Sequence, residues 1–127
     1  MQYSDILIQR NIEKSDEALE VAKESLEKNR LTTALNRIYY AIFYTVTALA
    51  YKYDFTTSKH YKLMGWFNKK FINDDKIFAS EIYKIYRNAF LLRQESDYQT
   101  MFNPNIEEAK ELLEKAKLFI ETVRKII

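Results

Sequence analysis

Turn-forming residues are almost missing from this sequence: its 127 residues include one glycine and one proline. Folds rich in strands or loops need these residues at their turns, so the sequence predicts an all-α protein. A chain of this length holds one hydrophobic core and is too short for two, which predicts a single domain over residues 1–127. Charged residues spaced between apolar ones, with short connections, predict an antiparallel up-and-down bundle of about five helices.

Apolar residues at helical spacing give approximate bounds for the five helices. They are expected over residues 4–29, 31–53, 58–72, 75–94 and from 105 to near the C-terminus, with an irregular stretch over 95–104. Ser58, Asp74 and Asn105 are the expected N-caps of the last three helices, and Glu108 would complete a capping box with Asn105. Gly65 should cost its helix roughly 1 kcal/mol relative to alanine, a cost that a close contact there would explain.

The second helix should be the central one, because residues 34–51 are apolar on nearly every face. A helix of this kind is buried, so a charge placed on it needs a partner or a ligand. Its polar interruptions are Asn36 and Arg37, and Arg37 shares a helix face with Tyr40 and Tyr44 at i+3 and i+7. This predicts a polar strip inside an apolar environment.

Arg37 allows two interpretations. It could line a pocket for a phosphate or another anion, or it could form a buried salt bridge with Asp97 or Glu95. The salt bridge is the commoner arrangement, because buried charges are usually paired. In that case Arg37→Ala should destabilise the fold by roughly 3–5 kcal/mol.

His60 is the only histidine, which excludes a multi-histidine metal site, and the absence of cysteine excludes disulfides and thiolate metal sites. No metal or cofactor is predicted. Near a helix N-terminus the imidazole should be neutral and could act as a base; the alternative is a surface or interface histidine bonded to backbone. Arg93 and Asp97 lie four residues apart and pair if their helix extends that far.

The aromatic content is high, with ten tyrosines and eight phenylalanines. Tyrosine suits interfaces, where an apolar ring and a polar hydroxyl are both satisfied, and closed two-fold dimers are the commonest oligomers; a homodimer is therefore expected. The formal charge of +2 argues against general polyanion binding. No apolar run is long enough to span a bilayer and no signal core is present, so a cytoplasmic protein without a membrane partner is expected.

Three fragments together resemble the HEPN domain superfamily, in particular its small free-standing prokaryotic members. They are A-x-N-R-x-Y-Y-A-x-F-Y at residues 34–44, S-K-H at 58–60 and R-x-x-S-D-Y at 93–98. The resemblance implies a helical bundle, a two-fold dimer and a minimal nucleotidyltransferase as protein partner. Catalytic members are metal-independent ribonucleases with an arginine followed, after four to six residues, by a histidine. Here Tyr98 stands where that histidine is expected after Arg93, and a phenol is a poor base at neutral pH.

The motifs that carry the resemblance define the candidate ligand-binding cluster. Its members are Asn36, Arg37, Tyr40, Lys59, His60, Arg93, Asp97 and Tyr98. With the motif histidine missing, the sequence favours a non-catalytic binding or interaction module that binds a nucleotide or RNA or docks a nucleotidyltransferase. The alternative is a metal-independent endoribonuclease toxin of a toxin–antitoxin pair, with His60 and Arg93 as catalytic residues. A third hypothesis is a helical partner with no ligand.

Overall fold

A computed structural model describes residues 2–98, 101 and 103–127 of the chain. Within these residues there are five α-helices and no β-strand, which confirms the all-α prediction. The helices are α1 (Tyr3–Glu27), α2 (Leu31–Lys52), α3 (His60–Phe67), α4 (Ser80–Tyr98) and α5 (Ile106–Arg124), and a π-helical segment, Asn68–Asp74, continues α3. None of the described helices is both long enough and apolar enough to cross a membrane.

The chain turns without glycine because polar residues take the left-handed conformation after two helices. Asn29 has φ 58° and Asp54 has φ 57°. In each case the next residue closes a six-residue turn: Arg30 N donates to Ser25 O at 2.7 Å, and Phe55 N donates to Ala50 O at 2.9 Å. These are Schellman-type helix ends, in which asparagine or aspartate occupies the position that usually belongs to glycine.

Helix α2 lies at the centre and packs against α1, α3, α4 and α5. Every residue of 34–51 is at least partly buried, in agreement with its apolar sequence. Ser15 of α1 anchors the closest packing: its Oγ donates to Ala41 O at 2.8 Å and lies 2.9 Å from Thr45 Oγ1. Alanines at the contact, including Ala41, let the two backbones approach. This fixes α2 so that its opposite face meets α3 and α4.

The N-terminal bounds of α3 and α4 differ from the sequence prediction. Ser58 is not an N-cap: α3 begins at His60, Lys59 holds the cap position, and Thr57 Oγ1 accepts from Lys59 N. Asp74 does not cap α4 either, since it ends the π-helical segment and pairs with Lys69 at 2.9 Å. That i,i+5 spacing fits the wider turn of a π-helix.

The connection before α5 was predicted to be irregular over residues 95–104, which is wrong for 95–98, because α4 continues to Tyr98. Residues 99, 100 and 102 lie outside the described residues. Asn105 is the N-cap of α5 as predicted: its Oδ1 accepts from Glu107 N at 2.8 Å and from Glu108 N at 3.2 Å. The reciprocal bond that would complete a capping box is not among the hydrogen bonds of the described residues.

Gly65 has no close neighbour that would exclude a side chain. A Cβ built on it would meet nothing within 4 Å, so the contact that would explain this glycine is not found among the described residues. We therefore expect Gly65→Ala to raise the free energy of unfolding by about 0.5–1 kcal/mol, because alanine is the better helix former. Urea denaturation measures this, and a lower stability would show that Gly65 has a role beyond the helix.

Candidate functional site

The site lies where α2 faces the start of α3 and the end of α4. Asn36, Arg37 and Tyr40 project from the first half of α2, and His60 is the first residue of α3. The last turns of α4 supply a third group, Arg93, Asp97 and Tyr98. Three segments that are far apart in sequence therefore meet around the rings of Tyr39 and Tyr40. We call this group of side chains the α2–α4 cluster.

His60 is held by aromatic residues of α2. Its Nδ1 lies 2.7 Å from the Tyr39 hydroxyl oxygen, and its ring stacks on Phe43 with centroids 4.2 Å apart. Burial lowers the pKa of His60, and the positive charge of Arg93 lowers it further. The imidazole is therefore neutral at pH 7, as its position at a helix start predicts. Its observed partner is a tyrosine side chain, so the alternative of a bond to backbone is wrong.

Arg93 and Asp97 form an ion pair within α4. Arg93 Nε lies 2.9 Å from Asp97 Oδ2, with side chains 15% and 22% exposed. Arg93 Nε also counts among the buried nitrogens without a well-aligned hydrogen bond. We infer that charge attraction, rather than a directional hydrogen bond, holds the pair, because the two atoms are close but poorly aligned. The Arg93 guanidinium also lies 5.4 Å from the ring centroids of Tyr39 and of Tyr40.

Arg37 is placed differently from the preferred prediction. It forms no salt bridge with Asp97 or Glu95 within the described part of the chain, so the buried-pair interpretation is wrong. Its Nε and one terminal nitrogen donate to Asn36 Oδ1 at 3.0 and 2.8 Å, and its guanidinium lies 5.0 Å from the Tyr40 ring centroid. Arg37 does not pair with Asp97 because that carboxylate is already paired with Arg93. Asn36 links the two groups through a long contact of 3.5 Å to Asp97.

A shallow groove adjoins the cluster on its α1 side. It has a volume of about 270 Å³, and Lys14 and Arg37 line it together with Tyr44 and Glu17. Lys14 Nζ lies 5.6 Å from the Tyr44 ring centroid. Two cations from neighbouring helices thus border the same groove, each over a tyrosine ring, with one carboxylate among the lining residues.

Two predicted members sit at the edge of the cluster. Lys59 is exposed at the cap position of α3, and within the described residues its side chain makes no hydrogen bond or ion pair with the others. Tyr98 is 72% exposed, and its ring lies 6.0 Å from the Arg93 guanidinium. Lys59 therefore stands apart, whereas Tyr98 offers an open ring beside a cation.

Sequence reasoning missed Tyr39 and Phe43, which hold His60. Both lie in the apolar pattern of α2, and nothing local to them signals a histidine 21 residues away from Tyr39. A buried tyrosine does need a partner for its hydroxyl, and this was the available signal. Among the described residues no group of three or more histidine, cysteine, aspartate or glutamate side chains could hold a metal ion.

Comparison with known proteins places the chain among related sequences. The sequence model of the family described as "HEPN domain" matches residues 8–126. A "UPF0332 protein" of Thermotoga maritima is 36% identical over 87% of this chain and 83% of its own length. Two proteins of Methanocaldococcus jannaschii that carry the name "Putative toxin" are 29% and 33% identical over 94% of this chain, and over 81% and 88% of their own lengths.

Proposed function

Because the chain belongs to the HEPN family, we propose that it is a non-catalytic binding module that holds a phosphate-bearing ligand, a nucleotide or an RNA strand, at the α2–α4 cluster. One observation carries this proposal. The Arg37 guanidinium sits on a largely buried helix without a carboxylate partner in the described part of the chain, and an anionic ligand would supply the missing countercharge.

The chemistry of the cluster suits such a ligand. A guanidinium offers several N–H donors in a planar fork that matches phosphate oxygens. The two donors that Arg37 gives to Asn36 leave further N–H groups for a ligand. The open ring of Tyr98 provides a surface on which a base can stack, a contact worth about 1–3 kcal/mol in single-stranded nucleic-acid sites. Lys14 extends the positive charge along the adjoining groove.

A second candidate function is metal-independent RNA cleavage. It is favoured by the neutral imidazole of His60 beside Arg93, since both groups contact the rings of Tyr39 and Tyr40, and by the toxin names of two relatives. Cleavage needs a base near the ribose hydroxyl and a cation near the phosphate. We rank this function second because His60 Nδ1 is already hydrogen-bonded to the Tyr39 hydroxyl and Arg93 is already paired with Asp97.

We further propose that the module works as a two-fold homodimer and docks a minimal nucleotidyltransferase. HEPN family membership supports the dimer, and the resemblance of residues 34–44, 58–60 and 93–98 to free-standing HEPN proteins supports the nucleotidyltransferase partner. The mass of the purified protein by light scattering tests the first, and co-purification with a neighbouring nucleotidyltransferase gene product tests the second.

The test of the primary proposal measures binding and cleavage of one fluorescent single-stranded RNA by the same samples, in chelator and at fixed salt. We expect Arg37→Ala to weaken binding at least about tenfold, equal to ~1.4 kcal/mol. Arg87→Ala removes the same charge from an exposed site on α4 and should bind as wild type does. No RNA should be cleaved by any sample.

Two results would contradict this expectation in different ways. Equal losses in the Arg37 and Arg87 variants would indicate non-specific attraction between protein and RNA. Cleavage by the wild type that disappears in both His60→Ala and Arg93→Ala would establish the ribonuclease function instead.

A further inference from the structure

The environment of the Tyr39–His60 hydrogen bond determines which of the two groups is the donor. Tyr39 is 0% exposed, and its hydroxyl has His60 Nδ1 as its hydrogen-bond partner within the described residues. Burial raises the pKa of Tyr39, more than the nearby Arg93 charge lowers it, so the phenol keeps its hydrogen at neutral pH. That hydrogen needs an acceptor, and Nδ1 is the atom in reach.

The reverse arrangement is costly. If Nδ1–H donated to the Tyr39 oxygen, the phenol hydrogen would be buried with no acceptor among the described groups. Nδ1 therefore carries the lone pair, and a neutral imidazole then has its single proton on Nε2.

We propose that Tyr39 fixes His60 as the Nε2–H tautomer, so that the free nitrogen of this ring is a hydrogen-bond donor for an oxygen of an anionic ligand such as a phosphate. This deepens the proposed function and rests on it for the identity of the ligand, but not for the tautomer. Nε2 has no hydrogen-bond partner in the described part of the chain and is not one of the buried unpartnered atoms. It is the nitrogen left for a ligand.

The surrounding charges favour the same state. The positive charge of Arg93 on α4 disfavours a second proton on His60, and Arg93 is itself paired with Asp97. From α2 the ring meets Tyr39, Tyr40 and Phe43, none of them anionic. With its lone pair bound to the Tyr39 hydroxyl and a second proton disfavoured, His60 can donate through Nε2 but has no lone pair there to take a proton. The site is thus built to hold an anion rather than to abstract a proton.

The test uses the fact that His60 is the only histidine of the chain. Uniformly 15N-labelled protein therefore shows one imidazole, whose long-range 1H–15N correlations identify the protonated nitrogen without assignment. In the wild type at pH 7.5 we expect the proton on Nε2. Addition of inorganic phosphate should shift the Nε2 resonance and leave Nδ1 nearly unchanged.

Two conservative variants test whether the Tyr39 hydroxyl, and not only the packing of its ring, fixes the tautomer of His60. Tyr39→Phe removes the donor to Nδ1, so we expect a mixture of tautomers and a higher His60 pKa, because the neutral form loses its hydrogen bond. Tyr61→Phe removes a hydroxyl from the next residue of α3, at an exposed site, without touching that bond, and should retain the wild-type tautomer.

A proton on Nδ1 in the wild type, or an unchanged tautomer and pKa in Tyr39→Phe, would overturn the inference. The tautomer and the pKa of His60 are both measured without RNA. The tautomer inference can therefore be wrong while Arg37-dependent RNA binding is confirmed, and it can be confirmed when RNA binding is not observed.

Discussion

Replacing Phe67 by alanine is expected to lower the free energy of unfolding by about 3–5 kcal/mol. Phe67 is 0% exposed, and its ring lies within 5.4–5.9 Å, centroid to centroid, of the rings of Phe71, Phe78, Tyr86 and Phe119. These residues come from the π-helical segment, the following loop, α4 and α5. Removing the ring leaves a cavity where these elements meet, and aromatic side chains on all sides cannot collapse into it without breaking their own contacts.

Urea denaturation followed by circular dichroism measures this loss. Tyr61→Ala is the matched control, because it removes an aromatic ring from the same helix at a site that is 59% exposed. It should change the stability by less than about 0.5 kcal/mol. Similar losses in the two variants would contradict the placement of Phe67 at the centre of the aromatic core.

The second large effect is expected at Arg93. Arg93→Ala should lower the free energy of unfolding by about 1–3 kcal/mol, because it leaves the Asp97 carboxylate, whose side chain is 22% exposed, without its cation. It also removes the guanidinium that lies 5.4 Å from the ring centroids of Tyr39 and of Tyr40. Thermal and urea denaturation both report this change.

Arg37→Ala should destabilise the protein less than Arg93→Ala does. Arg37 has no carboxylate partner in the described part of the chain, so its removal should cost less stability than the loss of Arg93, despite the 3–5 kcal/mol that a buried pair would imply. Equal destabilisation by the two substitutions would show that Arg37 is structural and would remove the main support for an anion site at this residue.

The helical fold could be predicted from the sequence because the patterns that specify it involve residues close together in the chain. Scarce glycine and proline, and apolar residues at helical spacing, specify helices whatever they later pack against. The apolar character of residues 34–51 also identifies the buried central helix, and the Asn105 cap follows from its own side-chain chemistry. The Arg93–Asp97 pair depends only on a spacing of four within one helix.

Helix bounds failed where tertiary contacts override local preference. Ser58 and Asp74 are good caps by composition, yet neither caps a helix. At Asp74 the chain instead continues α3 as a π-helix that carries Phe71 into the aromatic core, where Ile77 N and Phe78 N both donate to Phe71 O. Burial of that ring outweighs the preference of a single capping residue, which is worth about 1 kcal/mol.

The sequence by itself therefore determined the helical class, the central helix and the residues available for a polar cluster. Only the tertiary structure decided which residues meet across helices and which do not: Arg37 has no carboxylate partner in the described part of the chain, and His60 is bound to Tyr39 rather than to backbone. Helix periodicity is fixed by neighbours within a few residues, whereas a side-chain pair across helices depends on how the helices pack. Asp97 pairs with Arg93 four residues before it on the same helix, and within the described residues the packing of α4 on α2 brings Asn36, and not Arg37, into contact with that carboxylate.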